Sequence, residues 1–271
     1  MSILNVLLRA EQLLVAVDTL AEDAQTGARS SGAKLLLVPQ HNLVMAARGS
    51  TQFFIRVYEL ALQASFRADF TMEQLSAELG LVVDQLWPNY VRAAAEARLP
   101  VEKLGTELVL GGWSPKRGRM VATAYAKSDS SRPTIVQPLD GGLASLGEPL
   151  AGRPDSFAPA DVLAAGKVQA TWLNERVGRQ VAGGRLLAGF LEKGQALIKD
   201  LGEIQVVGVN RANAKARPHL ISHLHGITVG PRSVMDKGCL SGVGKGSFRA
   251  SAEVHALPLL TLAIARLVCR T

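Results

Sequence analysis

The sequence predicts a mixed α/β fold in four layers (αββα), in which two β-sheets lie face to face and helices cover their outer surfaces. Two observations lead to this fold class. The predicted elements follow one another as four strands, two helices, further strands, one helix and two strands, whereas a parallel α/β fold alternates strands with helices. The apolar runs of the first strands are also nearly continuous, which indicates strands that are covered on both faces.

The first half of the chain supplies two strand pairs and two helices. One strand pair is expected at residues 3–8 and 13–18, and the other at residues 34–38 and 42–47. A short polar connection joins the two apolar runs of each pair. Residues 19–32 are small and polar, as in a loop. Apolar residues recur with a helical period in residues 50–67 and again after Thr71, which with Gln74 comes close to a capping box. Pro88 is expected to break or kink that second helix, because proline has no amide hydrogen.

The second half of the predicted domain returns to strands. Residues 140–159 are rich in glycine and proline and are predicted to form a long loop. A helix is expected at residues 161–179. The strands are expected at residues 106–113, 118–125, 134–139, 184–191 and 195–201.

The charge distribution divides the chain near residue 206. The net charge is +7, and residues 206–271 hold nine Lys or Arg but two acidic residues, so this segment carries all of the excess. We therefore expect a domain at residues 1–205 and a basic tail at 206–271. The tail is expected to be poorly ordered or aberrant, for example through a shifted reading frame, or to bind a partner. The neutral domain argues against a nucleic-acid partner.

Composition narrows the class of protein further. A hydrophobic content of 48% with 20% charged residues is typical of a globular chain. The first residues lack the basic region of a secretory signal, and Pro258 interrupts the longest apolar stretch, so no membrane span is expected. The two cysteines, Cys239 and Cys269, argue against a disulfide scaffold. A cytoplasmic protein is expected.

Three polar residues near the start are spaced as in an enzyme. Removal of Met1 would make Ser2 the N-terminus, with a hydroxyl nucleophile and a free α-amine on one residue. Asp18 ends one apolar run and Lys34 opens the next. Taken singly, an aspartate at a strand end is most often a turn former, and a lysine at a strand start is most often a solvated edge charge.

Three segments near these residues resemble the opening of a proteasome β-type subunit of the bacterial branch. They are LLVAVDT at residues 13–19, AKLLLV at 33–38 and LVMAARG at 43–49. The resemblance covers about residues 2–205 and is most specific before residue 49. It implies a four-layer αββα sandwich of the N-terminal nucleophile hydrolase type. It also implies that Ser2, Asp18 and Lys34 are catalytic, with serine where the family usually has threonine.

Elementary chemistry supports these roles. A terminal amine is substantially neutral near pH 7 and can act as a general base, and a lysine cation beside it lowers the pKa of the amine and of the hydroxyl. Asp18 would hold Lys34 charged and aimed, since a buried ammonium needs a partner. The backbone N–H groups of Arg48 and Gly49 are the candidates for an oxyanion hole.

The chain departs from the family pattern at three positions. Leu20 stands where the family commonly has an arginine. Arg179 and Ala182 stand where the family often places an aspartate and a serine that support the terminal amine. These departures concern activity rather than fold.

The expected function is peptide-bond hydrolysis through a seryl acyl-enzyme, in a homo-oligomeric double ring that encloses its protein or peptide substrates. No cofactor or metal is expected, and an ATP-dependent unfoldase partner is left open. Two alternatives remain: a catalytically inactive assembly protein of this fold, and an amidase of this fold that acts on a small molecule. His219, His223 and His225 lack a nearby carboxylate for a metal site, and residues 242–245 are too short for a phosphate-binding loop.

Overall fold

In a computed structural model, residues 2–101, 104–145 and 150–204 are described. The α-helices are α1 (Thr51–Ser65), α2 (Met72–Glu96) and α3 (Pro159–Val177). The strands are β1 (Leu4–Leu8), β2 (Gln12–Asp18), β3 (Leu20–Glu22), β4 (Arg29–Ser31), β5 (Leu35–Val38), β6 (Leu43–Gly49), β7 (Thr106–Ser114), β8 (Arg119–Lys127), β9 (Ile135–Pro138), β10 (Leu143–Ala144), β11 (Gly184–Glu192) and β12 (Gln195–Ile204). The predicted tail at 206–271, with its histidines and cysteines, lies outside the described residues.

Ten of the twelve described strands form two antiparallel sheets of five strands each, and β3 and β4 form a separate hairpin. The first sheet has the order β10-β1-β2-β11-β12 and the second has the order β5-β6-β7-β8-β9. Neighbouring strands pair antiparallel throughout both sheets. The prediction of a mixed α/β fold without a parallel sheet is therefore confirmed.

Three clusters of buried apolar side chains hold these elements together. One cluster joins α1 and α2 to the second sheet and contains Trp87 and Tyr125. Another is built from side chains of both sheets, including Leu13 of β2 and Val109 of β7. A third joins α3 to the first sheet and contains Leu173. Burial of apolar surface on this scale is the main favourable term in folding.

Strand β2 shows why its apolar run is continuous. Leu13, Val15 and Val17 belong to the cluster shared by the two sheets. Leu14 and Ala16 belong to the cluster under α3. Because successive side chains of a strand point to opposite faces, a strand buried on both faces needs apolar residues at every position.

Local capping explains where the first two helices begin. The Ser50 hydroxyl accepts a hydrogen bond from the Phe53 amide of α1 at 3.2 Å, and the Thr71 hydroxyl accepts one from the Gln74 amide of α2 at 3.1 Å. The expected break at Pro88 is wrong, because α2 continues to Glu96. Trp87 is buried beside it and meets Phe53 edge-on at 5.6 Å, so packing of this helical turn offsets the missing amide hydrogen.

Two short strand pairings fall in segments that the sequence predicts as loops. β3 and β4 form a hairpin within residues 19–32, and β10 pairs with β1 within residues 140–159. β4 has the sequence RSS and is exposed throughout. A strand of two or three residues is too short to show the alternation by which a strand is recognised in a sequence, so periodicity does not detect it.

Among the described residues, none of the helices combines the length and the apolar character that crossing a bilayer requires.

Gly111 of β7 tests how closely the two sheets approach. A Cβ atom at this position would lie 2.4 Å from Cδ2 of the buried Leu13. We expect Gly111→Ala to lower the free energy of unfolding by about 1–3 kcal/mol through overpacking, measured by urea denaturation. Gly141→Ala is the matched control, because its Cβ would meet nothing within 4 Å, and it should be neutral. Equal stability of both variants would contradict this packing.

Candidate active site

Ser2, Asp18 and Lys34 lie in direct contact in a buried site. The Ser2 hydroxyl donates to Oδ1 of Asp18 and accepts from Nζ of Lys34, at 2.7 Å in the second case. Nζ of Lys34 also lies 3.1 Å from Oδ1 of Asp18. The relative exposures of the three residues are 4%, 0% and 6% in chain order. A hydroxyl, a carboxylate and an ammonium group thus share one enclosed site.

The Asp18 carboxylate is saturated with donors. Oδ1 accepts from the Ser2 hydroxyl, from Lys34 Nζ and from the Ile3 amide at 2.9 Å. Oδ2 accepts from the Gly183 amide at 3.1 Å. A fully buried carboxylate is stable only when it is paired and hydrogen-bonded in this way.

Lys34 is equally well satisfied. Its ammonium group donates to Ser2, to Asp18 and to the backbone carbonyl of Leu20. Three acceptors match the three donor hydrogens of an ammonium group. The arrangement therefore places a positive charge beside the Ser2 oxygen without leaving a donor unpaired.

Strand pairing brings these residues together. β1 pairs with β2 so that Leu4 lies opposite Val17, and Ser2 therefore continues towards Asp18 at the end of β2. Lys34 precedes β5, and its carbonyl accepts from the Ala47 amide of β6 at 2.9 Å. One residue of the site thus belongs to the second sheet and two belong to the first.

The start of β11, which follows the turn after α3, packs directly against Thr19, the residue after β2. Thr19 Oγ1 accepts from the Arg185 amide at 2.9 Å, and the Thr19 amide donates to the Arg185 carbonyl at 2.9 Å. Gly184 has φ +75°, and a Cβ there would lie 2.6 Å from Thr19 Oγ1. Only glycine fits this close approach without strain.

The oxyanion candidates lie at the end of β6, one and two residues after the Ala47 amide that bonds the Lys34 carbonyl. The buried Arg48 side chain donates to Ser145 and, at 3.4 Å, to Glu107. Gly49 has φ +111°, and a Cβ there would lie 2.3 Å from the Gly105 carbonyl oxygen. Packing against residue 105 alone therefore requires glycine at position 49.

The two departures near the end of α3 are placed differently. Arg179 is half exposed and forms an ion pair with Glu22 of the β3–β4 hairpin. Ala182 is fully buried and offers no side-chain hydroxyl. Beside them, Gln180 accepts from Arg29 of the same hairpin at 2.8 Å. This turn thus contacts the hairpin through these side chains and through the Gly183 carbonyl, which accepts from the Leu20 amide at 3.1 Å, and it contacts Asp18 through its backbone.

Sequence reasoning missed two residues that contact this site. Gly183 donates its amide to Asp18, and Asn174 of α3 bonds the backbone of the turn that contains Gly183. The double glycine at positions 183 and 184 was the available signal in the sequence. Within residues 178–184, the sequence comparison with the family concerned only the side chains at positions 179 and 182.

A separate cavity of about 290 Å³ lies at the other end of β2. Its lining includes Gln12, Phe157, Phe190, Glu192 and Lys199 and none of the three clustered polar residues. Within residues 2–101, 104–145 and 150–204, no group of three or more His, Cys, Asp or Glu side chains is arranged to hold a metal ion.

Comparisons with known proteins agree on the fold alone. No protein-family model matches the sequence, and no curated protein matches it. The solved structure of Anbu (ancestral beta-subunit) from Yersinia bercovieri is similar, with a TM-score of 0.52 and 13% identity over 74% of this chain and 88% of that chain. Anbu from Hyphomicrobium sp. strain MC1 matches over the same shares with 14% identity and a TM-score of 0.48.

These comparisons correct the family expected from the sequence. The similar structures are Anbu proteins, which are proteasome-like but distinct from proteasome β-type subunits. The assignment to the proteasome β-type subunit family is therefore wrong. The motifs around Asp18 and Lys34 occur here in a chain whose structural likeness lies with an ancestral β-subunit, and an identity of 13% carries the fold only.

The buried ion pair of the site should show strong coupling in stability. Lys34→Met leaves the Asp18 carboxylate without its cation, and we expect a loss of about 3–5 kcal/mol in the free energy of unfolding. The double variant Lys34→Met/Asp18→Leu should lose less than the sum of the two single variants, by urea denaturation. Arg56→Met breaks an exposed pair with Glu59 and should cost less than about 1 kcal/mol. Additive losses at 18 and 34 would contradict the contact.

Proposed function

We propose that the chain is an N-terminal nucleophile hydrolase that cleaves peptide bonds through an acyl-enzyme on Ser2. The observation that carries the proposal is the buried contact of the Ser2 hydroxyl with both the Asp18 carboxylate and the Lys34 ammonium. A serine enclosed between a carboxylate and an ammonium group has an environment suited to nucleophilic attack. The proposal requires removal of Met1, so that the α-amine of Ser2 is free.

The proposed reaction has two steps. The Ser2 oxygen attacks the carbonyl carbon of the substrate, its proton passes to the α-amine, and that proton then goes to the departing amine as the C–N bond breaks. Water hydrolyses the resulting ester and returns the hydroxyl to Ser2. Lys34 lies 2.7 Å from the attacking oxygen and stabilises negative charge that develops there. The backbone N–H groups of Arg48 and Gly49 are proposed to receive the oxyanion.

The finer fold assignment belongs to the same proposal. We interpret the three apolar clusters as three interfaces between layers. The first lies between the helices α1 and α2 and the second sheet, the next between the two sheets, and the last between the first sheet and α3. This order corresponds to a four-layer αββα sandwich of the N-terminal nucleophile hydrolase type. The likeness to Anbu supports it. A cytoplasmic location remains part of the proposal.

Two observations bear on the alternative functions. Arg179 pairs with Glu22 and Ala182 has no hydroxyl, so neither side chain supplies a polar group to the α-amine. This favours a catalytically inactive assembly protein as the second candidate. The amidase alternative requires a closed pocket at Ser2, and the cavity of about 290 Å³ lies at the other end of β2.

Ser2→Ala should abolish turnover of an unfolded protein or fluorogenic peptide, with an unchanged circular dichroism spectrum. Lys34→Ala should lose at least ~10²-fold in turnover, because the charge beside the nucleophile is removed. A peptide epoxyketone, which needs both a hydroxyl and a free amine, should add covalently to Ser2 alone, as seen by peptide mass spectrometry. Ser130→Ala, at an exposed serine of the β8–β9 loop, should retain full turnover and labelling.

Each outcome of this experiment selects one function. Met1 still attached in an active preparation would show that the mechanism is wrong. A preparation that has lost Met1 but shows neither turnover nor adduct would favour the inactive assembly protein. Turnover of small amides without turnover of peptides would favour the amidase.

The proposal includes a homo-oligomeric double ring formed by residues 1–205, with 206–271 dispensable as a basic tail. Exposed apolar side chains on different elements are available for contacts between copies of the chain in such a ring. They include Phe66 after α1, Leu81 of α2 and Ile135 of β9, which are 75%, 53% and 62% exposed. Closed rings are a common result when one surface meets a different surface on the next copy.

Light scattering should therefore give the mass of a closed ring assembly for the full chain and for a chain ending after residue 205. The second chain keeps Ile204, which is buried under α3, and should melt at almost the same temperature. A chain ending after residue 202 deletes Ile204 and serves as the destabilised comparison. A monomer or dimer at micromolar concentration, or insoluble protein from the 205-residue chain, would contradict the assembly or the domain boundary respectively.

A further inference from the structure

We infer that Asn174 is a positioning residue for the proposed reaction: it orients the Asp18 carboxylate through the peptide group between Ala182 and Gly183. This inference rests on the proposed function for its catalytic consequence. The positioning itself rests on contacts among described residues and can be tested in a protein without activity.

Asn174 is buried in the last turns of α3, with a relative exposure of 2%. Its side-chain oxygen accepts from the Val181 amide at 2.7 Å and from the Ala182 amide at 3.0 Å. Its side-chain nitrogen donates to the Ala182 carbonyl at 3.0 Å. One amide group therefore holds the turn at three backbone atoms.

The Ala182–Gly183 peptide group carries this constraint to Asp18. Its carbonyl accepts from Asn174, and its N–H donates to Oδ2 of Asp18 at 3.1 Å. In a planar trans peptide the C=O and N–H bonds point in opposite directions. Fixing the direction of the carbonyl therefore also fixes the direction of the N–H. Hydrogen bonds in series across one amide also polarise one another.

The Gly183 amide matters because the donors to the Asp18 carboxylate are divided unequally between its two oxygens. Oδ1 faces Ser2, Ile3 and Lys34, whereas the Gly183 amide is the donor that the described residues present to Oδ2. Without it, the carboxylate is held from one side only and can turn about its Cβ–Cγ bond. That rotation would move Oδ1 relative to the Ser2 hydroxyl.

The test replaces Asn174 by leucine, which fills similar volume and makes no hydrogen bond. The matched control is Asn5→Leu/Gln169→Leu. Asn5 and Gln169 form a buried reciprocal amide pair at 2.7 and 2.8 Å between β1 and α3. The control thus removes one buried amide from the same helix and its partner from β1, without removing any hydrogen bond to the turn or to Asp18.

The readout that needs no activity is the urea midpoint in two backgrounds. In the wild-type background Asn174→Leu should lower the midpoint. In the Lys34→Met/Asp18→Leu background the same substitution should lower it by clearly less, because the acceptor of the Gly183 amide is absent there. The control should lower the midpoint equally in both backgrounds. If Asn174→Leu lowers the urea midpoint by the same amount in both backgrounds, the inference is overturned.

The catalytic readout separates positioning from general stability. Asn174→Leu should lower kcat on a peptide substrate at least ~10-fold and leave KM within ~3-fold, since a small misplacement near the nucleophile is costly in rate. The control should leave both constants within ~3-fold. An unchanged kcat for Asn174→Leu would overturn the inference. If the wild-type protein shows no turnover, the proposed function has failed and the midpoint comparison still decides the role of Asn174.

Discussion

The structure of this site depends on one buried ion pair, between Asp18 at the end of β2 and Lys34 ahead of β5. The two residues belong to segments of different sheets, so their contact ties the sheets together at one end of the strands. Two buried charges are tolerated because every hydrogen-bonding group on them has a partner. The Ser2 hydroxyl, the Leu20 carbonyl and the Gly183 amide all take their positions around this pair.

Much of the fold was predictable because the spacing of apolar residues along the sequence reflects which faces of the strands and helices are buried. The apolar run of β2 reflects burial on both faces, and the caps at Ser50 and Thr71 mark where α1 and α2 begin. The β3–β4 hairpin was not predictable from pattern, since its strands are short and partly or fully exposed. The break expected at Pro88 does not occur, because the rule for proline concerns the backbone alone and omits the packing around Trp87.

The site was predictable to a different extent. Ser2, Asp18 and Lys34 were identified by their spacing within apolar segments, and the structure brings them into contact. Gly183 acts through its backbone amide, which the sequence records only weakly because every residue type except proline supplies one. Asn174 acts through its side chain, but on the backbone of a turn that the sequence does not place beside Asp18. The same motifs led to a family assignment that is wrong: the similar structure is an Anbu protein, and at 13% identity that likeness carries only the fold.

Gly49 has a consequence for how related sequences are interpreted. A side chain at this position would collide with the Gly105 carbonyl, at 2.3 Å from a Cβ, whether or not a substrate ever binds. A lineage that lost its chemistry would therefore be under the same steric pressure to keep this glycine as one that remained active. Its presence in a distant homologue reports that β6 and the start of β7 still approach closely, and it carries no information about turnover.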